Sequence, residues 1–215
     1  MGEGFGRAPS PAAVVFDALG LAYERAFAAS EAHRASLRWL LDRLEPGSRV
    51  LDAGCGTGRP TAEALTGAGH DVLGVDVSPV MVDLAARQVP GARFLSADIR
   101  DLPLTEASFD AVCVYFSLLQ MTRAEQASVV ARLTRALRPG GLAVLATVPL
   151  DVESVDAEFM GRPVRVTSFG AEDFRELAAG AGLRVLSEEY AVFRPEHPDA
   201  VPEPHLFLHC RRPTA

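Results

Sequence analysis

The sequence predicts an α/β fold built on a doubly wound parallel sheet. Three observations carry that prediction. Between residues 48 and 148, short apolar runs alternate with helical segments in the order β-α-β-α-β-β-α-β. The runs are apolar throughout, as strands covered by helices on both faces must be. The first run leads straight into a glycine-rich turn, VLDAGCGTGRP, where a backbone can press closely against a ligand.

Each element has its reason. Residues 10–44 are helical by pattern: Ala12 to Ala29 forms one segment, and Ser30 is a good N-cap for a second that runs to Leu44. Pro46-Gly47 ends it. Arg49 to Ala53 is the first strand, and Thr61 to Ala68 is a helix ended by Gly69. Asp71 to Val75 is the second strand. Ser78-Pro79 places an N-cap before a proline at the first helical position, and that helix runs to Val89. Ala92 to Ser96 and Ala111 to Tyr115 are the third and fourth strands. Arg123 to Leu137 is a helix stopped by Pro139-Gly140-Gly141, and Leu142 to Val148 is the fifth strand. Right-handed crossovers wind this sheet in both directions. Beyond Pro149 the pattern changes. Residues 150–169 read as an inserted loop with a short strand at Val164–Val166. A helix spans Ala171 to Ala181. Leu183 to Phe193 and His205 to Arg211 read as a final antiparallel pair. With no linker visible, the expectation is one domain over 1–215: N-terminal helices to 44, a core over 48–148, and a substrate side over 149–215.

Composition narrows the chemistry. The chain has 215 residues and a formal net charge of −7, which argues against nucleic acid as a partner. There is no lysine: all 21 basic residues are arginine. Schiff-base catalysis and a P-loop lysine are therefore excluded. Cys55, Cys113 and Cys210 lie far apart, with no CxxC or Cys/His cluster, so neither a disulfide framework nor a metal site is expected. No apolar run approaches a membrane span, and MGEGFGRAPSP has no signal-peptide core. The expectation is a cytoplasmic protein.

In an open parallel sheet, ligands sit beyond the carboxyl ends of the strands. Gly54, Gly56 and Gly58 give G-x-G-x-G there, with Arg59 where the dinucleotide fingerprint wants its last glycine. That spacing disfavours NAD without excluding it. The second strand ends GVDVS, which places Asp76 at the same rim, where a carboxylate can accept from both ribose hydroxyls. SADIRDLPL places Asp98 just past the third strand. There it can accept from an adenine amino group, with Ile99 and Met81 against the ring.

LDAGCGTGRP, GVDVSPVM, FLSADIRDLPLTEASFDAVCV and RALRPGGLAVLATV resemble the successive motifs of class I S-adenosylmethionine-dependent methyltransferases. The match covers residues 48–148. FDALGLAYERAF is similar to the lid helices of small-molecule members. The resemblance implies a seven-stranded, mostly parallel Rossmann-like sheet with an antiparallel last strand. It implies S-adenosylmethionine as cofactor, with Asp52, Gly54, Gly56 and Gly58 around its methionine part. It places Asp76 on the ribose, Val77 and Met81 beside it, Ala97, Asp98 and Ile99 at the adenine, and Tyr23 as a cover. Arg59 either pairs with the cofactor carboxylate or points to solvent.

Methyl transfer requires an acceptor held in line, and a base only if the acceptor arrives protonated. Many relatives carry histidines after the fourth strand; this chain has Leu119 and Gln120. No catalytic residue is assigned. Tyr115, Phe116, Gln120 and Met160 are expected at the substrate, with the 150–169 insertion as a wall. The expected reaction is O-methylation of a small natural-product intermediate. The alternative is a cofactor-binding relative that catalyses a non-methylating cyclisation. Oligomeric state is not legible.

Overall fold

The computed structural model describes residues 10–214. Most of MGEGFGRAPSP, on which the absence of a leader was argued, lies outside the described residues. The chain begins with α1 (Pro11–Leu19), α2 (Leu21–Phe27) and α3 (Glu31–Leu41). The single helix expected over 12–29 is two, because Gly20 adopts φ 47° and accepts no continuation. Ser30 caps α3 as expected, its side chain accepting from the His33 N–H.

The core then alternates: β1 (Arg49–Ala53), α4 (Thr61–Gly67), β2 (Asp71–Asp76), α5 (Pro79–Gln88), β3 (Arg93–Ser96), β4 (Phe109–Tyr115), α6 (Arg123–Ala136) and β5 (Leu137–Thr147). Pro139-Gly140-Gly141 does not separate α6 from β5 as expected. β5 starts at Leu137 and passes through it, with an irregularity in its pairing to β4 between Phe109 and Ala111. The proline costs nothing there because its residues face solvent at the strand's outer end.

After β5 come β6 (Val152–Phe159), β7 (Arg162–Ser168), α7 (Ala171–Gly180), β8 (Arg184–Phe193) and β9 (Glu203–Arg211). The insertion is thus a two-stranded antiparallel hairpin, not a loop with one short strand. Its first strand is exposed along most of its length, so its sequence, VESVDAEF, lacks the apolar run that marks a buried strand.

The main sheet has seven strands in the order β3-β2-β1-β4-β5-β9-β8. Only β9 runs against the others, between β5 and β8. Two apolar layers flank it. Leu51, Val112, Val129, Leu145 and Phe174 pack on one face; Leu40, Val50, Leu65, Val144 and Phe207 pack on the other. A third, small cluster joins Val15 and Leu19 of α1 to Val164 of β7. It ties the N-terminal helices to the hairpin over the carboxyl ends of the strands. Asp17 completes the tether, accepting from Ser78 Oγ at 2.6 Å at the start of α5.

Candidate functional site

The loops after β1, β2, β3 and β4 converge at one rim, and hydrogen bonds lock them together. Gly54 and Cys55 donate their N–H groups to the Val75 carbonyl at 2.7 and 3.1 Å. Ser117 Oγ, after β4, donates to the Ala53 carbonyl at 2.7 Å. This contact demands glycine at 54: a Cβ there would lie 2.1 Å from Ser117 Cβ. Gly56 is different. A Cβ on it would meet no atom within 4 Å, so this part of the turn faces open space. Arg132 of α6 holds the loop after β3 by donating to the carbonyls of Ile99, Arg100 and Leu102.

Three adjoining cavities lie under α1 and α2. The first, of about 280 Å³, is lined by Tyr23, Gly54, Gly56, Asp76, Val77, Met81, Ala97, Asp98 and Ile99, with Tyr115, Phe116 and Gln120. The second, of about 220 Å³, lies between α1, α2, the hairpin and β9. The third, of about 210 Å³, reaches from Asp52, Gly54 and Gly56 to Thr57, Arg59 and Thr61. Tyr23 and Phe116 line all three.

Two carboxylates dominate the rim. Asp76 accepts from the N–H of Gly56 through Oδ2 and from that of Ser78 through Oδ1, both at 2.9 Å. Burial pushes its carboxyl up, while the N–H groups of Ser78, Gly56 and Val77 pull it back. With about four lone-pair sites on a carboxylate, three N–H groups leave room for a further donor. Asp52 is 2% exposed, and its Oδ2 has no hydrogen-bond partner. Burial, with the nearby charge of Asp76, raises its carboxyl to about 7. Burial first, then the charges of Glu203 and Asp76, also holds the Tyr23 phenol protonated well above its ordinary range.

The remaining expected residues divide. Asp98 lines the first cavity but is engaged by Arg100, whose Nη2 lies 2.6 Å from Oδ2; Arg100 reaches Glu125 as well. Gly58 lines none of the three cavities. Its missing Cβ lets the turn pack on Val89, Ala85 and Phe94. Tyr115 lies on the first and third cavities and not the second. Its hydroxyl is 3.4 Å from Ser36 Oγ and its ring packs on His33. Met160 lines none of the three. It sits in the two-residue hairpin turn at φ 50°, packed against the small α1–β7 cluster. Its neighbour Phe159 lines the second cavity instead. Arg59 points neither to solvent alone nor to a lone anion: it bonds Glu63 and Gln88, each at 2.9 Å. Among the described residues, no three His, Cys, Asp or Glu side chains are grouped to hold a metal.

The sequence reading gave no role to Phe16, Phe27, Glu203 or His205, all of which line the second cavity. The i, i+2 spacing of Glu203 and His205 in a strand was the one available signal.

A model of the methyltransferase domain matches residues 50–141. An O-methyltransferase of Penicillium expansum, cnsE, is 32% identical over 155 residues, which are 67% of this chain and 55% of that protein. The chain belongs to the class I S-adenosylmethionine-dependent methyltransferases. It spans about half the length of the curated relatives it matches. Two solved structures share the fold of this methyltransferase across most of its length. The Burkholderia thailandensis 1,6-didemethyltoxoflavin-N1-methyltransferase, bound to its substrate and S-adenosylhomocysteine, aligns with a TM-score of 0.70 at 24% identity, over 96% of this chain and 91% of that one. The [4+2]-cyclase SpnF aligns with a TM-score of 0.68 at 25% identity, over 86% and 82%. The cofactor is S-adenosylmethionine. The rim fits it on two observations: the unpartnered, buried Oδ2 of Asp52 suits a cationic group, and the open face of Gly56 leaves room beside Asp76.

Proposed function

We propose that this chain methylates a small organic acceptor, as an O-methyltransferase of natural-product biosynthesis. The observation that carries the reading is the shared wall between the first two cavities. Phe16, Tyr23, Phe116, Ser117 and Gln120 border both. One cavity holds the carboxylates and the glycine turn; the other is walled largely by apolar side chains. That is a cofactor chamber beside an acceptor chamber.

The bound cofactor supplies a methyl group on a sulfonium, a leaving group that needs no further activation. The rest falls to the chain. Asp52 faces the cationic methionine end. Asp76 receives the ribose hydroxyls, and Val77, Met81, Ala97 and Ile99 enclose the adenine. Asp98, bound to Arg100, borders the chamber beside Ile99. Tyr23 and the α1–α2 segment close the chamber, held by the Asp17–Ser78 bond. Phe116 and Gln120 stand where acceptor and methyl group meet. We assign the N-terminal helices, the core and the hairpin to one functional unit, because all three line the second chamber. Small acceptors rather than nucleic acids suit a second cavity of about 220 Å³. Among the described residues no helix is long and apolar enough to cross a membrane. The cytoplasm is the proposed site, since all three cysteines are buried free thiols.

The kinship with a cyclase fold gives the experiment its second arm. Calorimetry with S-adenosylmethionine and NAD tests the cofactor. The mass of the product tests the reaction: a gain of one CH2 is expected, and a product of unchanged mass would replace transfer by cyclisation.

A further inference from the structure

β9 enters the sheet through Glu203-Pro204-His205. Residues two apart in a strand share a face, so the two polar side chains point the same way. His205 is 1% exposed, and its Nε2 lies 3.2 Å from Glu203 Oε1. Its Nδ1 is buried with no hydrogen-bond partner. The rings of Phe116, Phe193 and Phe207 surround the imidazole, with centroids 4.4, 5.6 and 6.2 Å away. A buried imidazole nitrogen left unsatisfied carries a desolvation cost, and in a native fold it asks for a reason. Both residues line the second cavity.

We infer that His205 is the general base of methyl transfer, that Glu203 is its positioning residue, and that the acceptor is a neutral hydroxyarene. The inference rests on the methyltransferase reading above. The Glu203 carboxylate accepts from Nε2–H. That selects the tautomer with its proton on Nε2 and leaves the Nδ1 lone pair free. The acceptor oxygen forms its bond to the methyl carbon as the carbon–sulfur bond breaks, and that electron pair returns to sulfur. The hydroxyl proton passes to Nδ1. The positive charge lost from sulfur reappears on the imidazolium, beside the Glu203 carboxylate.

The acceptor class follows from the walls. Phe16, Phe27, Phe116 and Phe159 offer ring faces to a flat molecule. Among the described residues no arginine lines this cavity, and the chain has no lysine, while Glu158 and Glu203 do line it. An anionic acceptor is repelled, so the hydroxyl enters protonated and needs a base. A neutral amine attacks with its own lone pair and would leave the pair without a task. Of the other titratable groups near His205, Tyr23 and His33 do not compete as bases. Glu158 on β6 and Tyr23 on α2 share the cavity, and the Tyr23 phenol keeps its proton. His33 on α3 feels the charge of His205, but burial lowers it to about 3 and keeps it neutral.

The test uses the full chain, S-adenosylmethionine and a probe set of 2-naphthol, 7-hydroxycoumarin, the more acidic 1-nitro-2-naphthol and 2-aminonaphthalene. Wild type is expected to methylate a hydroxyarene of the set. His205→Gln is expected to lower kcat at least about a hundredfold, with the cofactor Kd within roughly twofold of wild type. Its loss should be smaller on 1-nitro-2-naphthol, which ionises unaided. Glu203→Gln should lower kcat less, and Glu203→Asp should restore most of the rate. Nitrogen-15 NMR of wild type gives the tautomer without any variant: the Nε2–H form is expected, and the Nδ1–H form overturns the assignment. So would wild-type kcat in His205→Gln, an equal loss on acidic and neutral probes, or preferred methylation of the amine. Wild type that binds the cofactor yet methylates no hydroxyarene overturns the acceptor class. Wild type that binds no cofactor overturns the methyltransferase reading, and this inference with it.

Discussion

Removing the charge of Asp52 should change both cofactor binding and stability, and the structure sets the size of each change. Its carboxyl is raised from 3.8 to about 7 by burial and by Asp76. At pH 7 it is therefore about half protonated in the free protein. A cation brought to its unpartnered Oδ2 favours the ionised form and lowers its pKa again. Binding S-adenosylmethionine at pH 7 should then release about half a proton, and almost none at pH 9. Below pH 7 each unit should weaken binding by up to about tenfold. Calorimetry at pH 7 in buffers of different ionisation enthalpy reads this directly, as a slope of observed enthalpy against buffer enthalpy. Asp52→Asn should flatten the slope. Stability has its own sign. A carboxyl whose folded pKa lies above its unfolded one gives stability fully present below 3.8 and lost as pH rises towards 7. The displacement corresponds to at most about 4 kcal/mol. Asp52→Asn without cofactor should therefore melt above wild type at pH 8, with the gap closing at pH 4. A wild-type enthalpy that ignores the buffer, or a variant that melts below wild type at pH 8, would refute the placement of this carboxylate.

Three further outcomes follow from the geometry. Asp76→Ala should weaken cofactor binding at least about tenfold, since one charge-assisted hydrogen bond is worth about 1.5–3 kcal/mol; unchanged affinity by calorimetry would remove Asp76 from the ribose. Gly54→Ala should lower the melting temperature sharply, because its Cβ would sit 2.1 Å from Ser117 Cβ at φ 81°. Gly54→Ala with Ser117→Gly should recover part of that loss, and no recovery would mean that backbone strain alone accounts for it. Phe159→Ala should raise the acceptor KM while Met160→Ala leaves it near wild type, since only Phe159 lines the second cavity; the reverse ranking in steady-state kinetics would move the acceptor elsewhere.

The sheet was legible because its strands are buried on both faces. AVCVY can hardly be anything but an interior strand, and Ser78-Pro79 marks the start of α5 without tertiary help. What failed to show were elements whose burial is partial. β6 is exposed along most of its length, so no period of two survives in its apolar residues. Gly20 was invisible as a break because one glycine within a helical pattern is tolerated unless the fold bends there. The cofactor rim was legible for a related reason: its residues follow strand ends in order, so topology alone brings Asp52, Asp76 and Asp98 together. The second cavity draws on α1, α2, the hairpin and β9, which meet only through packing. Neither spacing nor composition could place Met160 outside it and Phe159 inside.

Phe116 joins these two kinds of legibility. In sequence it is an aromatic residue after an apolar strand, and wall and core were equally good roles. In the fold it adopts φ 59°, a region that costs a bulky side chain about 1–3 kcal/mol. Such a conformation survives only where neighbours impose it. Here the Phe116 N–H is held by the Ala146 carbonyl at 3.1 Å, and Ser117 is pinned to Ala53 on the other side. The left-handed turn swings the ring off the line of β4 to meet Phe207 edge-on and His205 at 4.4 Å, where it borders all three cavities. Strain that the rest of the fold must offset is therefore concentrated at the residue that borders all three cavities, beside the proposed base. An extended Phe116 would continue the alternation of β4 and point to the opposite layer with Val112 and Val114, away from Phe207 and His205.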